Sequence, residues 1–121
     1  MIDATGIYRC MKIHRFRKDL ATGSYDLLVL DVLRERPAYG YEIVQRIFEQ
    51  SRQTIRWHLG SLYRVLHDLE RQGLVASSWR TPRPGRERKY YRLTERGRRA
   101  WREQRAEWRE FTRAVNALLG L

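Results

Sequence analysis

The chain has 121 residues, enough for one domain with a modest core, and a formal net charge of +11 carried almost entirely by arginine. Cys10 is the only cysteine, which excludes an internal disulfide framework and a thiolate metal site and fits a reducing cytoplasm. No apolar run approaches the ~20 residues of a membrane span, and the first residues lack the apolar stretch of a secretory signal. The basicity points to polyanionic partners, although an arginine bias also arises from a GC-rich genome.

Residues 1–16 read as a flexible arm, basic in its second half, with Met11 as an alternative start. Arg17 to Arg36 reads as a first helix. Leu27, Leu28, Val29, Leu30, Val32 and Leu33 cover nearly its whole circumference, so it is expected to bury one side in its own domain and another in a partner subunit. Pro37 ends it, because the residue before a proline is pushed out of the α region. A second helix follows from Glu42 to Gln50, half-buried through Ile43, Val44, Ile47 and Phe48.

After a linker, Ser51 to His58, a third helix runs from Leu59 to Gln72, with Trp57-His58 as a possible backward extension. Leu59, Leu62, Val65, Leu66 and Leu69 share one face; Gly60, Arg64, His67 and Arg71 share the opposite one. Gly73 stops it as a residue that accepts positive φ. Two short helices joined by a turn, the second basic on its outer face, form a helix-turn-helix arrangement. The bland alternative is that the arginines only solvate an exposed face.

Leu74 to Arg80 and Glu87 to Leu93 read as strands flanking a turn at Thr81–Gly85, giving a hairpin with Arg83, Arg86, Arg88 and Lys89 at its tip. Lys89, Tyr91 and Leu93 take one face of the second strand; Arg88, Tyr90 and Arg92 take the other. Thr94 is the expected N-cap of a last helix from Glu95 to Leu119. There Trp101, Trp108, Phe111, Val115 and Leu118 follow a heptad interrupted by Gln104. So apolar a stripe in so small a domain asks for a partner, or else for packing on the first helix. The fold class is mainly α (α+β): a winged helix-turn-helix with a two-stranded wing over residues 17–93 and a C-terminal dimerisation helix over 94–121.

The ordered motifs resemble the PadR family of transcriptional regulators. They are Leu27-Leu28-Val29-Leu30, Tyr39-Gly40-Tyr41-Glu42-Ile43, Gly60-Ser61-Leu62-Tyr63, Gly73-Leu74-Val75 with Trp79, and Arg88 through Thr94 followed by Gly97. The match spans about residues 18–119. The resemblance implies a homodimer, usually a repressor, on a palindromic double-stranded operator, its terminal helix packed against the partner's first and last helices. The family commonly carries an acidic residue before the glycine and a proline after the tyrosine, where this chain has Leu59 and Arg64.

Candidate DNA contacts are Tyr39, Tyr41, Ser61, Tyr63, Arg83, Arg86, Arg88 and Lys89 for the backbone, with Ser61, Arg64 and His67 for bases. Dimerisation falls to Leu27, Leu30, Trp101, Trp108, Phe111, Val115 and Leu118. In a symmetric dimer Trp108, with Trp101, either frames a slot for a planar aromatic effector or is plain interface core. His14, His58 and His67 pair with no carboxylate at a recognised spacing, and no metal cluster or phosphate loop is present, so neither enzyme activity nor a cofactor is expected. Two other readings stay open: a non-specific nucleic-acid-binding module of RNA or nucleoid type, and a helical adaptor that docks on another protein.

Overall fold

The computed structural model describes residues 11–13 and 24–121. In chain order these form β1 (Met11–Ile13), α1 (Tyr25–Leu33), β2 (Ala38–Tyr39), α2 (Gly40–Gln50), β3 (Ile55–Trp57), α3 (Leu59–Arg71), β4 (Val75–Arg83), β5 (Arg86–Leu93) and α4 (Glu95–Leu119). The architecture is the mainly α winged helix-turn-helix expected, with two small antiparallel sheets.

The core lies where α1, α2 and α3 meet the inner face of the hairpin. Val29, Leu30 and Leu33 of α1, Ile43 of α2, and Leu62, Leu66 and Leu69 of α3 close on Val75 and Tyr91. α1 ends at Leu33, three residues before the expected Arg36, as the chain leaves the α region ahead of Pro37. The expected residues 17–23 of this helix, and His14, lie outside the described residues.

Three short strands depart from expectation. Ala38–Tyr39 pairs with Tyr90 and Tyr91 of β5, so the hairpin belongs to a three-stranded sheet in the order β2-β5-β4. The linker after α2 contains β3, which pairs antiparallel with Met11–Ile13, a part of the segment expected to be a loose arm. The remaining arm residues lie outside the described ones. Trp57 does not extend α3 backward. It ends β3 and enters the core, edge-on to Tyr25 at a centroid distance of 5.4 Å. His58 takes the N-cap instead, its Nδ1 accepting from the Gly60 N–H at 3.2 Å. Between α2 and β3, Arg52 and Gln53 both adopt positive φ, uncommon for residues with a Cβ.

The end of α3 is a Schellman motif. Gly73 sits at φ +79°, its N–H donating to the Glu70 carbonyl at 3.0 Å, while the Leu74 N–H reaches the Leu69 carbonyl at 2.9 Å. β4 and β5 run farther than expected, to Arg83 and from Arg86. A register shift places Thr81 and Pro82 opposite Glu87 alone. Proline has no N–H for a ladder, so a bulge accommodates it.

α4 has the expected bounds, and its N-terminal half docks on α1. Trp101 Nε1 donates to Asp31 at 2.8 Å and Arg98 donates to the Arg34 carbonyl at 3.2 Å. Thr94 caps it, accepting from the Gly97 N–H at 3.0 Å. Gly97 is buried against the Leu74 carbonyl, which a Cβ at that position would approach to 2.0 Å. Gly97→Ala therefore forces α4 off the hairpin; we expect a loss of roughly 1–3 kcal/mol, as for other overpacked sites, measured by urea unfolding.

Candidate nucleic-acid interface

The outer face of α3 and the base of the wing enclose a groove of about 420 Å³. Tyr39, Tyr41, Tyr63, His67, Arg88 and Lys89 line it, bringing together six of the ten expected DNA contacts from three separate stretches of chain. Each arrives by a different local route. Tyr39 is the N-cap of α2, with its N–H held by the Glu42 carboxylate at 3.3 Å. Its ring lies edge-on to Tyr90 at 5.4 Å and under the Arg88 guanidinium at 4.3 Å. Arg88 is thus held flat against the sheet by a cation–π contact.

Tyr63 leaves α3 in the direction of α2 and covers Gly40. A Cβ on Gly40 would lie 2.5 Å from the Tyr63 hydroxyl oxygen. The glycine of Tyr39-Gly40-Tyr41 and the tyrosine of Gly60-Ser61-Leu62-Tyr63 are therefore the two halves of one contact. Tyr63 remains 39% exposed, so its outer edge faces solvent. Tyr91 forms the buried floor. Burial pushes its phenol above the usual range, with Glu70 and then Tyr63 adding to the shift. The Lys89 ammonium lies 5.7 Å from its ring centroid.

The other expected contacts separate. Arg64 is exposed on α3, while Arg83 and Arg86 are exposed at the wing tip around Gly85, whose φ of +78° makes the turn. Arg88 and Lys89, expected at that tip, sit lower on β5 and are half-buried. Ser61 is a correction: it is 4% exposed, turned inward at the first turn of α3, and presents no side chain to a ligand. Leu59 moves the opposite way. Expected on the core face, it is exposed and lines the groove, since the covered arc of α3 is centred on Leu62, Val65 and Leu69 and Leu59 falls at its edge, beside Tyr63. Trp79 also lines the groove, and sequence reasoning assigned it only a strand-forming role. Its alternation with Val75 and Ser77, which face α3, was the available signal.

None of the expected dimer and effector residues, which lie on α1 and α4, lines this groove. Leu30 is corrected: it is 0% exposed within its own chain and has no surface for a partner. Leu27 is half-buried. Trp101 is engaged internally, bonded to Asp31 and flanked by the guanidinium groups of Arg34 and Arg105. Trp108 is 42% exposed, with Phe111 at a centroid distance of 6.2 Å. Phe111 and Leu118 are exposed, and Val115 is half-buried. A cleft of about 550 Å³ lies between α1 and α4, lined by Asp26, Leu27, Gln104, Glu107, Trp108 and Phe111. Among the described residues no group of His, Cys, Asp and Glu could hold a metal, and no helix is long and apolar enough to cross a membrane.

The sequence model of the transcriptional regulator PadR-like family matches residues 29–103. A PadR family transcriptional regulator from Eggerthella lenta is 40% identical, with a TM-score of 0.73 over 84% of this chain and 86% of that one. A transcriptional regulator from Clostridium thermocellum superposes with a TM-score of 0.77 at 26% identity, over 84% and 96% of the two chains. An uncharacterised protein of Lysinibacillus sphaericus is 29% identical over 103 residues, 85% of this chain and 94% of its own length.

Burial raises the Asp26 carboxyl above its ordinary value of 3.8, and the Asp68 charge raises it further. A carboxyl raised by folding favours the native state when protonated. That contribution is complete below the unfolded value and disappears as pH rises through the folded one. Asp26→Asn is expected to raise the urea midpoint at neutral pH, with the advantage fading toward pH 3, measured by unfolding curves across that range.

Proposed function

The chain belongs to the PadR-like family of transcriptional regulators, DNA-binding proteins rather than enzymes, and on that premise we propose that it is a cytoplasmic homodimeric repressor that recognises a palindromic operator. The observation that carries the reading is the groove between α3 and the wing. There Tyr39, Tyr41, Tyr63, Arg88 and Lys89 line one groove beside the exposed face of a helix. Phosphate contacts from Tyr39, Tyr41, Tyr63, Arg88 and Lys89 position the duplex. The wing-tip arginines Arg83 and Arg86 follow the backbone or enter the adjoining minor groove.

Base reading falls to Arg64 and His67 on the outer face of α3, with the arginine suited to the O6 and N7 acceptors of guanine. Arg64 stands where relatives commonly carry proline, so it gives this regulator a contact of its own. Dimerisation uses the apolar stripe of α4. Phe111 and Leu118 are exposed in the single chain, and with Leu27, Trp108 and Val115 they supply a surface suited to a second copy. A two-fold dimer would place two reading helices on two half-sites.

The cleft beside Trp108 supports relief of repression by a planar aromatic effector. The indole is partly exposed, the lining mixes apolar groups with Asp26 and Glu107, and a second copy would close the open side. Titration with planar aromatic compounds is expected to quench the tryptophan emission of wild type but not that of Trp108→Phe. A flat response across a broad panel would leave Trp108 a dimer-core residue.

Footprinting on the DNA upstream of its own gene, with sedimentation of the free protein, tests the main reading. A protected palindrome and a dimer are expected. Equal affinity for that site and for random duplex would favour the non-specific nucleic-acid module instead. Arg64→Ala is expected to lose roughly 1–3 kcal/mol on the specific site alone, read by fluorescence anisotropy on both DNAs.

A further inference from the structure

We propose that the indole of Trp79 is a further DNA-contacting group, packing against the sugar edge of the backbone strand that lies between α3 and the wing. It adds affinity without reading sequence and without neutralising a phosphate. The inference rests on the DNA-binding reading of this groove and assigns the groove an apolar wall.

Val75, Ser77 and Trp79 share the face of β4 that is turned toward α3. Val75 is buried in the core, and the Ser77 hydroxyl donates to the Glu70 carboxylate of α3 at 2.7 Å. Trp79 is the next step outward, beyond the reach of the core. It pairs with Lys89 across the hairpin and is 69% exposed, more than any other aromatic side chain among the described residues.

An indole held on a regular strand and left largely in water forgoes a large transfer free energy. The surroundings state what would cover it. Leu59, Tyr63 and His67 of α3 line the same groove, as do Arg88 and Lys89. One acid, Glu87, stands among these groups. A partner that fits must present negative charge to the cations and an apolar surface to the indole. A nucleic-acid strand does both, with its phosphates meeting Arg88 and Lys89 and its deoxyribose carbons meeting Trp79 and Leu59.

An apolar contact and a phosphate contact differ in their salt dependence. Each neutralised phosphate releases counterions and contributes about one unit to the slope of log affinity against log salt, whereas an indole packed on sugar contributes none. Trp79→Ala is therefore expected to weaken binding on the order of tenfold, as the loss of a modest apolar burial would, on operator and random duplex alike, with an unchanged salt slope. Lys89→Ala is expected to flatten that slope. Trp79→Phe should recover most of the affinity, and the change in tryptophan emission that DNA causes in wild type should diminish in that variant.

The melting temperature of Trp79→Ala is expected to match wild type, because the indole lies outside the core. An unchanged affinity in Trp79→Ala would overturn the inference, as would a loss of affinity matched by a loss of melting temperature. Failure of wild type to bind either duplex would overturn the reading of the groove itself, so the two failures are distinct.

Discussion

The arrangement of the whole domain depends on the hydrogen bonds of Thr94. Its N–H donates to the Leu74 carbonyl at 3.1 Å, its hydroxyl donates to the Gly73 carbonyl at 2.6 Å, and the same oxygen accepts from the Gly97 N–H at 3.0 Å. Carbonyls just past a helix end need partners when water is excluded. One side chain supplies a partner here while capping the next helix. The end of α3, both ends of the hairpin and the start of α4 are joined within a few residues. Gly97 lets α4 approach the Leu74 backbone closely enough for these bonds to form. The helix that carries the reading face and the helix that carries the apolar stripe thereby share one rigid joint.

The front of the molecule has a second joint of a different kind. Tyr63 covers Gly40 and ties α3 to the start of α2. β2, immediately before, is hydrogen-bonded to β5. The groove is thus built from four segments that meet only after folding, and the same residues shape it and hold the segments together. Arg88 on Tyr39, Arg80 on Tyr90 and Lys89 on Tyr91 repeat this economy along the wing. Each aromatic ring orders a cation that would otherwise be a loose surface charge, which lowers the entropy lost on binding an anion.

Long elements with clear end signals were legible. α4 runs from Glu95 to Leu119 as its cap and heptad require, and α3 ends at a glycine of positive φ. β1, β2 and β3 were not legible, because strands of two or three residues show no periodicity and exist only through their partners. The site was legible in part. The helix face and the wing cations emerged from pattern and resemblance, but Ser61 and Leu59 exchanged their expected exposures at the first turn of α3. A helical wheel shows which residues share a face, but only the packed neighbours decided that the covered arc of α3 runs from Ser61 through Val65, Leu69 and Leu62 to Leu66 and leaves Leu59 at its edge.

By itself, the sequence determined the order and type of the main elements, the end of the reading helix, the cap of α4 and the excess of positive charge. These follow from local rules: backbone preferences, capping and the period of apolar residues along one element. Tertiary structure alone decided which aromatic and apolar groups were used up inside the chain and which stayed outside. Trp57 entered the core and Trp101 was tied to Asp31, while Trp79 and Trp108 kept exposed surface. Trp101 and Trp108 occupy the same heptad stripe along the chain, yet only the first is tied down inside it. A residue's own element sets the direction of its side chain, but burial is set by whichever distant segment comes to lie opposite.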